Sequence, residues 1–232
     1  AWAHAVLARV ALHRGDPSGA RAACAAGQTL LDTGDVQLGR DQIALAHARC
    51  LARENRVGDA RAALADAWDL FAAFGAERPR HELAVDLVRL LADSGDRAGA
   101  GAVAGWLTAA VDRHDTPTRR LEAARAELML EPTAARAHAV ADLASTTPRR
   151  LLGATASAEA AAVLHAAGHP RASDLFRDAA GVFEELGARA DLHAIAPRFG
   201  PTAPSRGKPR FGWHSLTPTE RRVLDLVADG LP

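Results

Sequence analysis

The chain has 232 residues, enough for one or two domains, and balances 28 basic against 28 acidic residues. That balance leaves no overall electrostatic footprint for nucleic acid. Two cysteines without a CxxC neighbour give neither a zinc site nor a disulfide framework and fit a reducing, cytoplasmic setting. There is no signal peptide and no apolar stretch of membrane-spanning length, so no membrane partner is expected. Alanine is abundant, tyrosine is absent and no β-branched run alternates with period two, so the expected class is all-α.

In chain order, the first elements repeat. His13-Arg14-Gly15-Asp16 followed by Gly19-Ala20-Arg21-Ala22 aligns with Arg53-Glu54-Asn55-Arg56 followed by Asp59-Ala60-Arg61-Ala62. Asp93-Ser94-Gly95-Asp96 followed by Gly99-Ala100-Gly101-Ala102 comes a further forty residues on. Gly15, Asn55 and Gly95 occupy the position that a left-handed helix end requires, and Asp16 and Asp96 can cap the next helix, with Pro17 at its first position. The spacing puts Ala3, Leu7, Val10 and Ala11 on the apolar face of the first helix. In the next two units the corresponding residues are Ile43, His47, Cys50 and Leu51, then Leu83, Leu87, Leu90 and Leu91. Leu30 and Leu31, Leu70 and Phe71, then Ala110 and Val111 correspond in the second helices, and the small residues Ala60, Ala63 and Ala67 allow close helix pairing. His47 is read as a core histidine and Trp68 as core. Trp106 stays open between core packing and the concave surface of the array.

Two less regular hairpins follow. One pairs a helix around Leu121–Leu130 with one around Ala134–Ala144, turning at Glu131-Pro132-Thr133. The other pairs Ser157–Ala167 with Arg171–Leu186, turning at Gly168-His169-Pro170, and Gly187 closes it. The expected fold is a tetratricopeptide-like array of about five helical hairpins over residues 1–196. From 197 to 214 prolines and glycines interrupt any regular helix, and Arg198, Arg206, Lys208 and Arg210 make the stretch basic. It reads as a linker. Arg206, Lys208 and Arg210 are its candidates for DNA phosphate contacts, although a solubilising tether explains the composition more simply.

Residues 215–232 form a last element. Thr217, Pro218 and Glu220 make a capping box with proline at the first helical position. Val223, Leu224, Val227 and Ala228 recur at helical spacing, and Gly230 stops the helix. Leu216-Thr217-x-x-Glu220-x-x-Val223-Leu224-x-Leu226-Val227-Ala228-x-Gly230 resembles the opening of the LuxR-type helix-turn-helix domain. The resemblance implies that Leu216, Val223, Leu224 and Val227 pack the scaffold helix and that Thr217 and Glu220 fix its start. The recognition helix that enters the major groove would lie beyond Pro232.

The order of array, linker and terminal helix-turn-helix resembles the large ATP-dependent LuxR regulators of bacteria. It implies promoter DNA as the partner of the complete C-terminal domain, and a protein or small-molecule inducer, with homo-oligomerisation, at the repeats. ATP would belong to a domain preceding Ala1, and no cofactor is expected in the present stretch. Both ends are read as fragment boundaries. His165 and His169 are separated by a broken helix, and no HExxH, GxSxG or phosphate-binding loop occurs, so no enzyme is expected. The alternative is a helical-repeat interaction scaffold without DNA binding.

Overall fold

The computed structural model of the chain describes residues 1–34 and 39–199, and every regular element among them is an α-helix. Five hairpins follow one another. They are α1 (Trp2–Arg14) with α2 (Pro17–Thr33), α3 (Arg40–Arg53) with α4 (Val57–Ala73), and α5 (Glu77–Asp93) with α6 (Arg97–Arg113). Then come α7 (Pro117–Leu130) with α8 (Ala134–Thr146), and α9 (Arg150–Ala166) with α10 (Arg171–Leu186). A last helix, α11 (Arg189–Phe199), lies against α10. The all-α repeat array expected from the sequence is the fold.

Local chemistry sets the turns. The Asp16 and Asp96 carboxylates accept from the Gly19 and Gly99 amides at 2.8 and 2.9 Å. Thr116 and Thr133 cap α7 and α8 in the same way through their hydroxyls. At the other ends, Gly15, Asn55 and Gly95 have φ of 81°, 61° and 83°. The residue after each sends its amide back to close the helix: Asp16 to Ala11, Arg56 to Leu51 and Asp96 to Leu91, all at 2.9 Å. This is the Schellman closure, and it recurs at Ala76, His169 and Ala188. The repeat also carries its own tie between hairpins. Arg21 reaches Glu54 and Arg61 reaches Ser94, residue pairs equivalent at the forty-residue period.

Packing uses small side chains at the closest contacts. Ala20, Ala60 and Ala100, aligned in the sequence, are completely buried. Leucines fill the spaces between helices, with Leu64, Leu83, Leu87 and Leu107 all inaccessible, each contributing about 2 kcal/mol. Gly27 and Gly153 allow closer approaches still. A Cβ on Gly153 would lie 2.9 Å from the Ala144 carbonyl oxygen.

The buried stripe differs from expectation in the first two units. In α1 it is Ala5, Ala8 and Leu12, while Leu7 is 58% exposed and Ala3 and Val10 also face outward. The contacts of α1 with α2, α3 and α11 fall on the 5–8–12 side, and among the described residues nothing covers the other. His47 is exposed and is not a core histidine: α3 turns Ile43, Ala46 and Cys50 inward, and His47 falls off that stripe. Leu30 and Leu70 are likewise exposed, whereas their neighbours Leu31 and Phe71 are buried and half-buried. The third unit follows the expected face, with Leu83, Leu87 and Leu90 buried. Beyond Gly187, Ala188, Leu192 and Ile195 pack against Phe183, which places a helix where the sequence reading had none. That helix runs through Pro197 to Phe199, and the proline, which has no amide hydrogen, cannot donate to the His193 carbonyl one turn back. Residues 200–232 lie outside the described residues.

The close contact at Gly153 makes a prediction. Gly153→Ala should destabilise the chain by about 1–3 kcal/mol, because backbone rather than a flexible side chain must move. Urea unfolding checks this, and an unchanged midpoint would show that α8 and α9 are not so closely apposed.

Candidate functional site

The odd-numbered helices form the inner wall of the array. α1 contacts α3, α3 contacts α5, α5 contacts α7, α7 contacts α9, α9 contacts α11, and α11 returns to α1. The array therefore closes into a ring. At the seam the His13 Nδ1 donates to the Asp191 carboxylate at 2.6 Å, and Ala190 approaches Gly15.

The inner helices line a half-open cavity of about 550 Å³, within the range of small-molecule sites. Its wall is a belt of charge. Arg49 on α3 holds Asp86 on α5 bidentately at 3.1 and 2.8 Å. Arg125 on α7 holds Glu159 on α9 bidentately at 2.7 and 2.8 Å, and Arg89 on α5 pairs with the same carboxylate. Arg9 on α1 donates to the Gln42 amide oxygen on α3 at 2.9 Å, and Arg53 donates to the Leu12 carbonyl at 2.7 Å. Between the charges stand Leu12, Leu45, Val85, Leu90 and Leu151.

The electrostatics follow from this geometry. Burial by itself would raise the Asp86 carboxyl, but Arg49, helped by Arg89 and Arg125, outweighs it and holds the group well below the usual carboxylate range. Glu159 is also lowered: burial again opposes, and Arg125 and Arg89 prevail. Arg9 behaves differently. Burial lowers its guanidinium, Arg49 and Arg149 lower it further, and the attraction of Glu82 and Asp86 does not compensate. The belt is thus neutralised at its paired arginines and positive at Arg9. Buried His81 brings Nδ1 to 3.0 Å from Glu122 Oε2, and Glu122 also lines the cavity.

The residues singled out in the sequence lie elsewhere. Leu216, Thr217, Glu220, Val223, Leu224 and Val227, and the linker residues Arg206, Lys208 and Arg210, all fall outside the described residues. Trp68 is core, as expected. Trp106 packs edge-on to it at 5.0 Å with the Arg80 guanidinium against both rings, and neither indole lines the cavity. The His169 ring meets His138 at 4.7 Å and is not paired with His165 in a metal site; among the described residues no group of His, Cys, Asp or Glu is arranged to hold a metal ion. Also among them, no helix is long and apolar enough to cross a membrane. Sequence reading missed the belt. Arg49, Asp86, Arg125 and Glu159 are separated along the chain and belong to no motif; the one available signal is their repeated placement on inner helices.

Stranding an arginine inside the ring should be costly. Glu159→Gln, which leaves both Arg89 and Arg125 without a carboxylate, should cost about 3–5 kcal/mol. Both Asp86 and Glu159 titrate below their unfolded values, so their contribution is complete above the unfolded carboxylate range. It is lost as pH falls below about 4 toward the folded values. Urea midpoints measured from pH 7 to pH 3 should therefore fall more steeply for the parent chain than for Glu159→Gln, and parallel slopes would contradict this. No protein-family model, curated protein or solved structure matches this chain.

Proposed function

We propose that this chain is the signal-receiving helical array of a bacterial transcriptional regulator of the LuxR type, joined through a basic linker to a DNA-binding module that begins near Leu216. The observation that carries the proposal is the capped amphipathic run Leu216–Gly230, placed after an array and a Pro/Gly-rich basic stretch. The cavity inside the ring supports the receiving half of the reading, since it offers a ligand several independently mounted helices to draw together. The expected partners are promoter DNA for the complete C-terminal module and an inducer at the array, with association of copies bringing paired modules onto half-sites.

A scaffold that binds only proteins is the second reading. Trp2, Val6, Leu7 and Val10 favour it, because they form an exposed apolar face on α1.

The coding sequence downstream of Pro232 decides between the two. A continuation that completes a helix-turn-helix, and a protein including it that shifts DNA from its own upstream region, would support the regulator. A stop or an unrelated continuation would sink it. In the complete protein, replacing Arg206, Lys208 and Arg210 together by Ala should weaken binding to specific and random DNA alike. It should also flatten the salt dependence by up to about three phosphate contacts. An unchanged salt slope would leave the linker a tether.

A further inference from the structure

We propose that the cavity inside the ring binds a small organic anion, an apolar body carrying a carboxylate or phosphate head, with Arg9, Arg53 and Arg149 receiving the head. The inference rests on the receiving half of the reading above and is independent of its DNA-binding half.

Three observations converge. The first is the charge inventory of the wall. Asp86 and Asp191 are already engaged by Arg49 and His13, and Arg89 and Arg125 share Glu159. Arg150 is held by Glu185. Three arginines of the lining remain without a carboxylate partner. Arg9 has only the Gln42 amide, and Arg53 has only the Leu12 carbonyl. The Arg149 carbonyl accepts from the Gly153 amide, and its guanidinium makes no hydrogen bond or ion pair among the described residues. Glu82 and Glu122 also line the cavity and offset part of this charge; the half-buried Arg9 guanidinium is lowered first by burial and then by Arg49 and Arg149, against the attraction of Glu82 and Asp86.

The second observation is the first turn of α9. Arg149 to Leu152 line the cavity, and no side chain caps this helix, so its positive end adds to the field of Arg9 and Arg149. The third is the apolar wall. Leu12, Leu45, Val85, Leu90 and Leu151 come from four helices and would bury a hydrocarbon or aromatic body. A guanidinium that has no carboxylate of its own binds carboxylate and phosphate oxygens through paired N–H donors, which is why the ligand's charge is assigned as negative.

The test uses the full 232-residue chain and titration calorimetry with four probes: phenyl phosphate, 3-phenylpropionate, inorganic phosphate and benzyl alcohol. One or both aromatic anions should bind at least tenfold more tightly than benzyl alcohol. Which of the two wins separates a phosphorylated ligand from an organic acid, and inorganic phosphate should bind more weakly than either. Arg9→Gln and Arg149→Gln should each weaken the anion about tenfold and shallow its salt dependence. Arg14→Gln, exposed and outside the cavity, should leave it unchanged. Thr155→Trp, a half-buried wall position, should block binding while circular dichroism shows the helices intact.

If benzyl alcohol binds as tightly as the anions and Thr155→Trp blocks it, the anion assignment fails but the cavity remains a receptor. If the anions bind and none of the cavity variants alters the affinity, the site is elsewhere and the inference is overturned. If no probe binds, both the inference and the receiving role of the cavity fail.

Discussion

The ring depends on exchanging water for partners around its inner wall. Six helices turn charged side chains toward one half-open space, and a guanidinium buried there is costly unless a carboxylate, an amide or a carbonyl replaces the water it gives up. Much of this cost is offset by ion pairs: Arg49 to Asp86, Arg125 to Glu159 and His13 to Asp191 link neighbouring inner helices, and Arg89 on α5 reaches the same Glu159 on α9. Each pair is satisfied only when two particular helices stand at the right separation. A bidentate pair such as Arg125–Glu159 constrains both distance and orientation, which a leucine contact does not.

The outer layers supply the bulk of the stability. Ala20, Ala60 and Ala100 let paired helices come close enough for Leu31, Leu64 and Leu107 to fill the space between them. That division of labour explains why the polar wall and the apolar layers are differently specified. Apolar layers tolerate exchanges of similar volume, whereas removing one member of a buried ion pair strands the other. It also explains why function is sought at the wall. A cavity whose charges all cancelled would be a structural seam, and the arginines that do not cancel distinguish this one.

Much of the fold was legible. The turn residues Gly15, Asn55 and Gly95 mark hairpin ends by backbone conformation, a local property that one residue reveals. Gly187 and the Asp16 and Asp96 caps are legible for the same reason. The burial pattern was less so. Leu7 and Val10 look like core because they are apolar at helical spacing, but whether a stripe is buried depends on a neighbour that the helix itself does not encode. His47 failed for the same reason. α11 was missed because Gly187 and Pro197 drew attention as punctuation, although Leu192 and Ile195 between them carry a helical pattern. The candidate site was almost wholly hidden: Asp86 and Glu159 are ordinary surface-like residues until the stacking of one hairpin on the next brings their arginines to them.

Closure has a mechanical consequence. In an open solenoid each joint between hairpins rotates independently, and the displacement simply accumulates toward a free end. Here α11 meets α1, so the joints around the circuit are coupled through that contact. A joint that tightens by a few degrees obliges the others to relax, or the His13–Asp191 seam to part. A small local strain anywhere in the wall is thereby shared by every hairpin, and its largest visible effect falls at the weakest joint rather than at the point where it was applied.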